Sequence, residues 1–149
     1  MAIEATDLCE FAKKYADSTS NEAELRAASS RAYYSAFHAL LPLAEMLPSS
    51  EYCDPHAQHI GHRELQRRIK EWRTDGVHSD LARLKVTKNQ IVLALEAARN
   101  YREVVDYQLE DSVSLNETKA QVQRARLILR QAEQIYLAMG RSGSDGQAA

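Results

Sequence analysis

Residues 25–46 read LRAASSRAYYSAFHALLPLAEM, and this stretch determines the fold class that the chain predicts. On a helical wheel at 100° per residue, its Leu and Ala side chains share one side and its aromatic side chains lie next to them. A helix that is apolar over more than one face needs several neighbours to cover it, so we expect it at the centre of a bundle. Asn21 and Glu24 form a capping box that predicts a helix start near residue 22, while Pro42 and Pro48 predict that the helix weakens near its end.

The rest of the chain shows the same helical period and no alternation typical of a strand. Only 5 Gly and 3 Pro occur in 149 residues, which leaves room for long helices. Further helices are predicted at residues 3–16, at 62–73, from about 79 or 87 to 110, and from a capping box of Ser114 and Glu117 to Gly140. We therefore predict an all-α, up-and-down bundle of about five helices in one domain at residues 1–139, followed by a polar, disordered tail at residues 140–149.

The composition excludes several classes of protein. With 19 Lys and Arg against 21 Asp and Glu, the net charge of −2 excludes a basic protein that coats nucleic acid non-specifically. No apolar run approaches the roughly 18 residues of a membrane span, and no secretory leader opens the chain, so we expect no membrane partner. Cys9 and Cys53 alone do not make a disulfide framework, so we expect a cytoplasmic protein.

The charge is nevertheless uneven along the chain. Residues 62–107 carry 10 basic and 7 acidic side chains, whereas residues 1–61 carry 4 basic and 9 acidic ones. Part of the excess lies in the third predicted helix, where Arg63, Arg67 and Lys70 are spaced i, i+4, i+7. Such a stripe is typical either of a solvated helix face or of a surface that follows a phosphate backbone.

A polar stripe interrupts the apolar second helix at Arg31, Tyr34 and His38, spaced i, i+3, i+7. A buried cation is costly unless it is paired. The stripe therefore either pairs with a carboxylate inside the bundle or lines a cleft.

A second internal stripe lies in residues 97–109, AARNYREVVDYQL, where Arg99, Arg102 and Asp106 fall within about 60° on the wheel. Two arginines beside one carboxylate leave surplus positive charge, which suits a phosphate held bidentately by Arg. A salt-bridged helix face is the alternative. We place this stripe opposite that of the second helix, across a cleft between the second and fourth helices.

Cys53, His56, His59 and His62 are three residues apart and are residue types that bind zinc. On one straight helix each step turns by about 60°, so the four side chains cannot converge on one ion. We therefore predict a polar connector between helices and no bound metal, and a zinc site is the alternative.

Two elements resemble a known family. SSRAYYSAFHALL at residues 29–41 is similar to the SRAYYAAFHA signature of HEPN-domain proteins, especially the small stand-alone bacterial branch. RNYREVVDYQL at residues 99–109 resembles the later R-x-x-ADY element of that branch, with Arg102, Asp106 and Tyr107 in the matching places. The resemblance extends over roughly residues 5–138, including the HRELQRRI segment between the two elements.

The resemblance implies a helical bundle, often dimeric, built around an RNA-directed site. Many members are metal-independent ribonucleases in toxin, defence or RNA-processing systems, and their signature is an Arg, often followed by Asn, Asp or His, with a His four to six residues further on. Arg99 and Asn100 match its start, but Tyr107 stands four intervening residues after Arg102 where a His is expected. Tyrosine, with an ordinary pKa of about 10, is a poor general base at neutral pH.

Three hypotheses follow. The first is a HEPN-like domain that binds RNA or a nucleotide phosphate without the usual catalytic His, with binding residues Arg31, Tyr34, Asn100 and Asp106. The second is an active, metal-independent endoribonuclease of toxin–antitoxin or phage-defence type, with catalytic residues Arg99, Arg102, Tyr107 and His38. The third is a non-catalytic protein-interaction module. We expect a homodimer, because a bundle of five helices this small cannot fully cover a second helix that is apolar over more than one face, and because the resemblance points the same way. We also expect an antitoxin protein as a further partner, and neither cofactor nor metal.

Overall fold

The computed structural model describes residues 2–73 and 84–147. This part of the chain contains no strand, so the prediction of an all-α bundle of about five helices is confirmed. The helices are α1 (Ala5–Tyr15), α2 (Glu22–Met46), α3 (His62–Glu71), α4 (Lys85–Tyr107) and α5 (Leu115–Gln147). None of these described helices combines the length and the apolar character that a membrane span needs.

Helix α2 is the centre of the bundle, because it packs against each of the other four helices. Its Leu40 and Leu43 are completely buried, and Tyr33 is nearly so. Complete burial of a Leu side chain contributes about 1.5–3 kcal/mol. The main core joins α2 to α3, α4 and α5, and a smaller apolar cluster joins it to α1 and α5. The apolar faces that predicted a central helix are thus covered within one chain.

Both predicted capping boxes are confirmed. At the start of α2, the backbone N–H of Glu24 donates to Asn21 Oδ1 at 2.9 Å, and the N–H of Asn21 donates to Glu24 Oε1 at 3.1 Å. At the start of α5, the N–H of Glu117 donates to Ser114 Oγ and the N–H of Ser114 donates to Glu117 Oε1, both at 3.2 Å. These bonds satisfy backbone donors that a helix start leaves without an intrahelical partner.

Helix α2 continues through Pro42 to Met46, although the sequence predicted that it weakens there. The hydroxyl of Tyr136 on α5 reaches this point: it accepts from Leu43 N–H at 3.2 Å and donates to Ala39 C=O at 2.6 Å. In an undisturbed α-helix, the N–H of Leu43 would donate directly to the C=O of Ala39, four residues earlier. A tertiary partner therefore satisfies the backbone groups next to the proline.

Three helix ends differ from the prediction. Helix α3 ends at Glu71 rather than at residue 73, and α4 ends at Tyr107 rather than at residue 110. Helix α5 runs on to Gln147, because Gly140 does not adopt the left-handed conformation of a helix-ending glycine. The stop predicted at residues 74–76 and the earlier of the two predicted starts of the fourth helix, near residue 79, lie outside the described residues, as do the last two residues of the tail. The disorder of that tail stays a prediction.

Arg26 fixes the end of α4 against α2. Its guanidinium donates to Val105 C=O at 2.9 Å and to Asp111 C=O, and it pairs with Glu22 at 3.0 Å. The last carbonyls of a helix have no intrahelical donor, so one arginine supplies hydrogen bonds that α4 itself cannot make.

Candidate anion-binding site

Arg102 is the buried cation of the contact between α2 and α4. Only 6% of its surface is exposed, and its Cζ lies 5.3 Å from the ring centroid of Tyr33 and 5.7 Å from that of Tyr107. Its Nη1 is 3.7 Å from Asp106 Oδ2, which also accepts from Ser30 Oγ at 3.2 Å. The Nε of Arg102 has no hydrogen-bond partner among the described residues. One long ion pair therefore compensates this charge only in part.

The residues predicted to line a cleft between α2 and α4 are only partly brought together. Arg102, Asp106 and Tyr107 lie together on α4, but Arg102 is buried, so the contact is closed at this point. Tyr107 itself is 73% exposed.

On α2, Tyr33 faces Arg102, whereas the sequence stripe placed Tyr34 there. Arg31 and His38 are exposed, and so is Asn100 on α4. Helix α2 is apolar nearly all round, so the sequence alone does not show which of its two consecutive tyrosines meets the neighbouring helix.

His62, the first residue of α3, lies beside this contact. Its Nδ1 is hydrogen-bonded to the hydroxyl of Tyr33 at 2.8 Å, and its ring centroid is 4.8 Å from that of Phe37. Burial, together with the positive charges of Arg102 and Arg99, lowers the pKa of His62 below its ordinary value. Its imidazole is therefore neutral at pH 7. Burial raises the pKa of Tyr33 to about 12, so that hydroxyl keeps its proton.

Four cations converge beside His62 on the open side of α3 and α4; we call this the basic groove. A cavity of about 240 Å³ is lined by Arg63, Arg67 and Lys70 of α3, by Arg99 of α4 and by Gln66. Arg99 is held in place by donating from Nη1 to Gln66 Oε1 at 3.0 Å. The sequence singled out the α3 stripe and Arg99 separately, and only the structure brings them together.

The periodicity of α3 explains why its cations face outward. Leu65 and Ile69 are almost completely buried, so they fix which side of the helix meets the core. Positions i, i+4 and i+7 of the polar side then share a single face. Within the described ranges, no carboxylate forms an ion pair with Arg63, Arg67 or Lys70, whereas Arg99 has a loose pair with Glu103 at 3.8 Å.

A second cavity of about 580 Å³, which we call the connector cavity, adjoins the basic groove and shares Arg63, Arg67 and Arg99 with it. His62 and part of the segment between α2 and α3 also line it. The joined surface is therefore wide enough to hold more than a single small ion.

Two carboxylates, Glu64 and Asp54, line the connector cavity. Burial alone would raise the pKa of Glu64, but hydrogen bonds from Ser50 and Arg68 lower it to about 2. Arg68 Nε lies 2.9 Å from Glu64 Oε2, so this negative charge is compensated inside the protein. Among the described residues, Asp54 and the loose partner of Arg99, Glu103, then oppose the four cations of the groove, so this part of the surface keeps an excess of positive charge.

The four residues considered as zinc ligands point to different partners. His62 bonds to Tyr33, and the Sγ of Cys53 is 3.7 Å from a guanidinium nitrogen of Arg68. His56 and His59 are exposed. Over residues 2–73 and 84–140, no group of three or more His, Cys, Asp or Glu side chains is placed to hold a metal ion.

The chain matches no known protein family, no curated protein and no solved structure. The likeness to HEPN-domain proteins therefore rests on the two sequence elements alone.

Proposed function

We propose that the protein is a HEPN-like helical domain that binds RNA through its phosphates in the basic groove. The observation that carries the proposal is the convergence of Arg63, Arg67, Lys70 and Arg99 on one cavity. Arg holds phosphate oxygens bidentately, and Lys adds a point charge. The phosphate of a free nucleotide would be bound by the same chemistry. An RNA strand differs from a free nucleotide in its length, because it presents several phosphates in a row.

The arrangement of the cations favours a chain of phosphates over a single one. With a rise of about 1.5 Å per residue, Arg63 and Lys70 are about 10 Å apart along the axis of α3, with Arg67 between them. Arg99 widens the row from the neighbouring helix. The groove lies between α3 and α4, whereas the cleft predicted between the second and fourth helices is closed at the buried Arg102.

The test is the salt dependence of binding. Each cation that contacts a single strand contributes about −0.7 to the slope of log K against log salt, so four contacts predict a slope of about −3. Fluorescence anisotropy of a labelled 12-nucleotide RNA, recorded from about 50 to 200 mM salt, measures this slope. Arg67→Ala and Arg99→Ala should each weaken binding and reduce the slope by about 0.7.

Arg130→Ala is the matched control, because Arg130 is an exposed arginine on α5 and does not line the groove. It should leave both the affinity and the slope unchanged. A wild-type protein without salt-dependent affinity for RNA, or an Arg130 variant that loses as much as Arg99→Ala, would overturn the proposal. The interaction-module hypothesis predicts the former result.

A second candidate function, metal-independent cleavage of RNA, is favoured by one observation. The neutral His62 lines the same cavity as Arg99 and lies near Arg102, so it offers the histidine that the second sequence element lacks. With Nδ1 bonded to Tyr33, Nε2 is the ring nitrogen left to exchange a proton with a ribose hydroxyl or a leaving oxygen. His38, packed on Phe37 at the surface, does not line this cavity.

Cleavage is tested by incubating RNA with the protein in the presence of a chelator and separating the products on a gel. An active wild type and a His62→Gln variant that binds RNA but does not cut it would support this candidate. Intact RNA with the wild type would exclude it and leave the binding function standing.

We also propose a homodimer and an antitoxin-like protein as partners, on the family resemblance alone. The separate argument from uncovered faces of the second helix does not hold, because the other four helices cover α2. Light scattering at micromolar concentration tests the dimer, and a mass near 16.8 kDa at every concentration would contradict it.

A further inference from the structure

Tyr52 stands out at the rim of the connector cavity. It belongs to the segment between α2 and α3, and 67% of its surface is exposed. The Cζ of Arg67 lies 4.5 Å from the centroid of its ring, so one face of the ring covers a cation of the basic groove. Single exposed aromatic side chains are common. This one is notable because it borders a surface with excess positive charge.

The backbone segment that carries Tyr52 is anchored to α3 two residues before the ring and is folded into turns around it. Ser50 donates from its backbone N–H at 3.1 Å and from its hydroxyl to the carboxylate of Glu64. Two turns follow, closed by Cys53 N–H to Ser50 C=O and by Ala57 N–H to Asp54 C=O, each at 3.1 Å. A ligand that meets a ring already held in place loses less affinity to the cost of ordering it.

We propose that Tyr52 is a stacking surface for an unpaired base of the bound RNA, so that the site selects single strands over duplexes. This inference rests on the proposed function, because the phosphates of the same RNA occupy the basic groove. The exposed ring offers a base the surface that Arg67 does not cover, and a positively charged groove bordered by an aromatic ring is the arrangement that binds single strands without reading their sequence.

A duplex cannot use this surface in the same way. Its bases are stacked on each other inside the helix, and proteins recognise it mainly through its shape and its backbone. Phosphate contacts alone would therefore hold a duplex, whereas a single strand gains the stacking contact in addition. Loss of a base–aromatic stack typically weakens binding by roughly ten-fold.

The experiment compares three labelled probes of equal length: a single-stranded RNA, the same strand with abasic positions, and a duplex. Tyr52→Ala should weaken the single strand by roughly ten-fold and leave the abasic strand unchanged. Tyr52→Phe should keep the wild-type affinity, because stacking needs the ring and not the hydroxyl. Phe11→Ala is the control, since Phe11 is a 41% exposed aromatic residue on α1, which does not line the connector cavity.

The outcomes separate this inference from the function on which it rests. Equal losses for the single-stranded and abasic probes would show that Tyr52 only orders Arg67, and would overturn the stacking role while the phosphate site stands. Equal affinities of the wild-type protein for the single strand and the duplex would also overturn the stacking role and leave the phosphate site standing. If Arg99→Ala weakens no probe, or no probe binds at all, the basic groove is not the site and both proposals fail.

Discussion

Replacing Tyr136 by Phe should destabilise the protein more than the loss of a surface hydroxyl would. The change removes one oxygen, which accepts from Leu43 N–H at 3.2 Å and donates to Ala39 C=O at 2.6 Å. Burial raises the pKa of Tyr136, so the hydroxyl is protonated at neutral pH and available to donate. Leu43 is completely buried, and water does not readily replace the lost partner.

The magnitude follows from the number of bonds. Two hydrogen bonds with a net value of about 0.5–1.5 kcal/mol each give a loss of about 1–3 kcal/mol. For a chain of this size each kcal/mol lowers the midpoint of thermal unfolding by about 2–4 °C. Urea unfolding followed by circular dichroism measures the free energy, and an unchanged m-value shows that the extent of unfolding is the same.

A double-mutant cycle with Pro42→Ala tests the reason for the loss. Alanine restores the missing N–H and removes the ring that crowds the preceding turn, so α2 can join Leu43 to Ala39 directly. Tyr136→Phe should then cost at least about 0.5 kcal/mol less in the Pro42→Ala background than in the wild type.

Tyr15→Phe is the control, because the hydroxyl of Tyr15 makes no hydrogen bond to another described residue. Its stability should be unchanged. Equal costs of Tyr136→Phe in both backgrounds would refute the idea that its hydroxyl compensates for the proline.

Three further predictions concern the charges around α4. Stability should decline as the pH falls below about 6.5, because the pKa of His62 is lowered in the folded protein and the unfolded chain then binds the proton more readily. His62→Gln should flatten this pH dependence in thermal scans from about pH 7.5 to 5. An unaltered profile in this variant would contradict the prediction. Asp106→Ala leaves the buried Arg102 without its ion pair and should lower the free energy of unfolding in urea by about 3 kcal/mol. A loss below about 1 kcal/mol would show that the rings of Tyr33 and Tyr107 are enough to stabilise the buried charge. Arg26→Ala removes the donors at the end of α4 and should cost about 2 kcal/mol, with faster hydrogen exchange in its last turn; unchanged exchange there would count against this role.

The sequence by itself determined the helical class and the starts of two helices. The capping boxes at Asn21 and Ser114 are local hydrogen-bond patterns, so their outcome depends on four consecutive residues and not on the rest of the fold. The apolar faces of α2 likewise predicted its central place. The outward stripe of α3 could be predicted because Leu65 and Ile69 fix its inner face.

The tertiary structure decided which stripes meet. Arg99 joins the cations of α3 because α4 packs beside α3, and Tyr33 rather than Tyr34 faces Arg102 because of the rotation of α2 about its axis. The hydrogen bond between Tyr33 and His62 joins residues 29 positions apart. A periodic pattern shows which face of a helix is buried, but the neighbour against which that face packs depends on side-chain fit between segments distant in sequence.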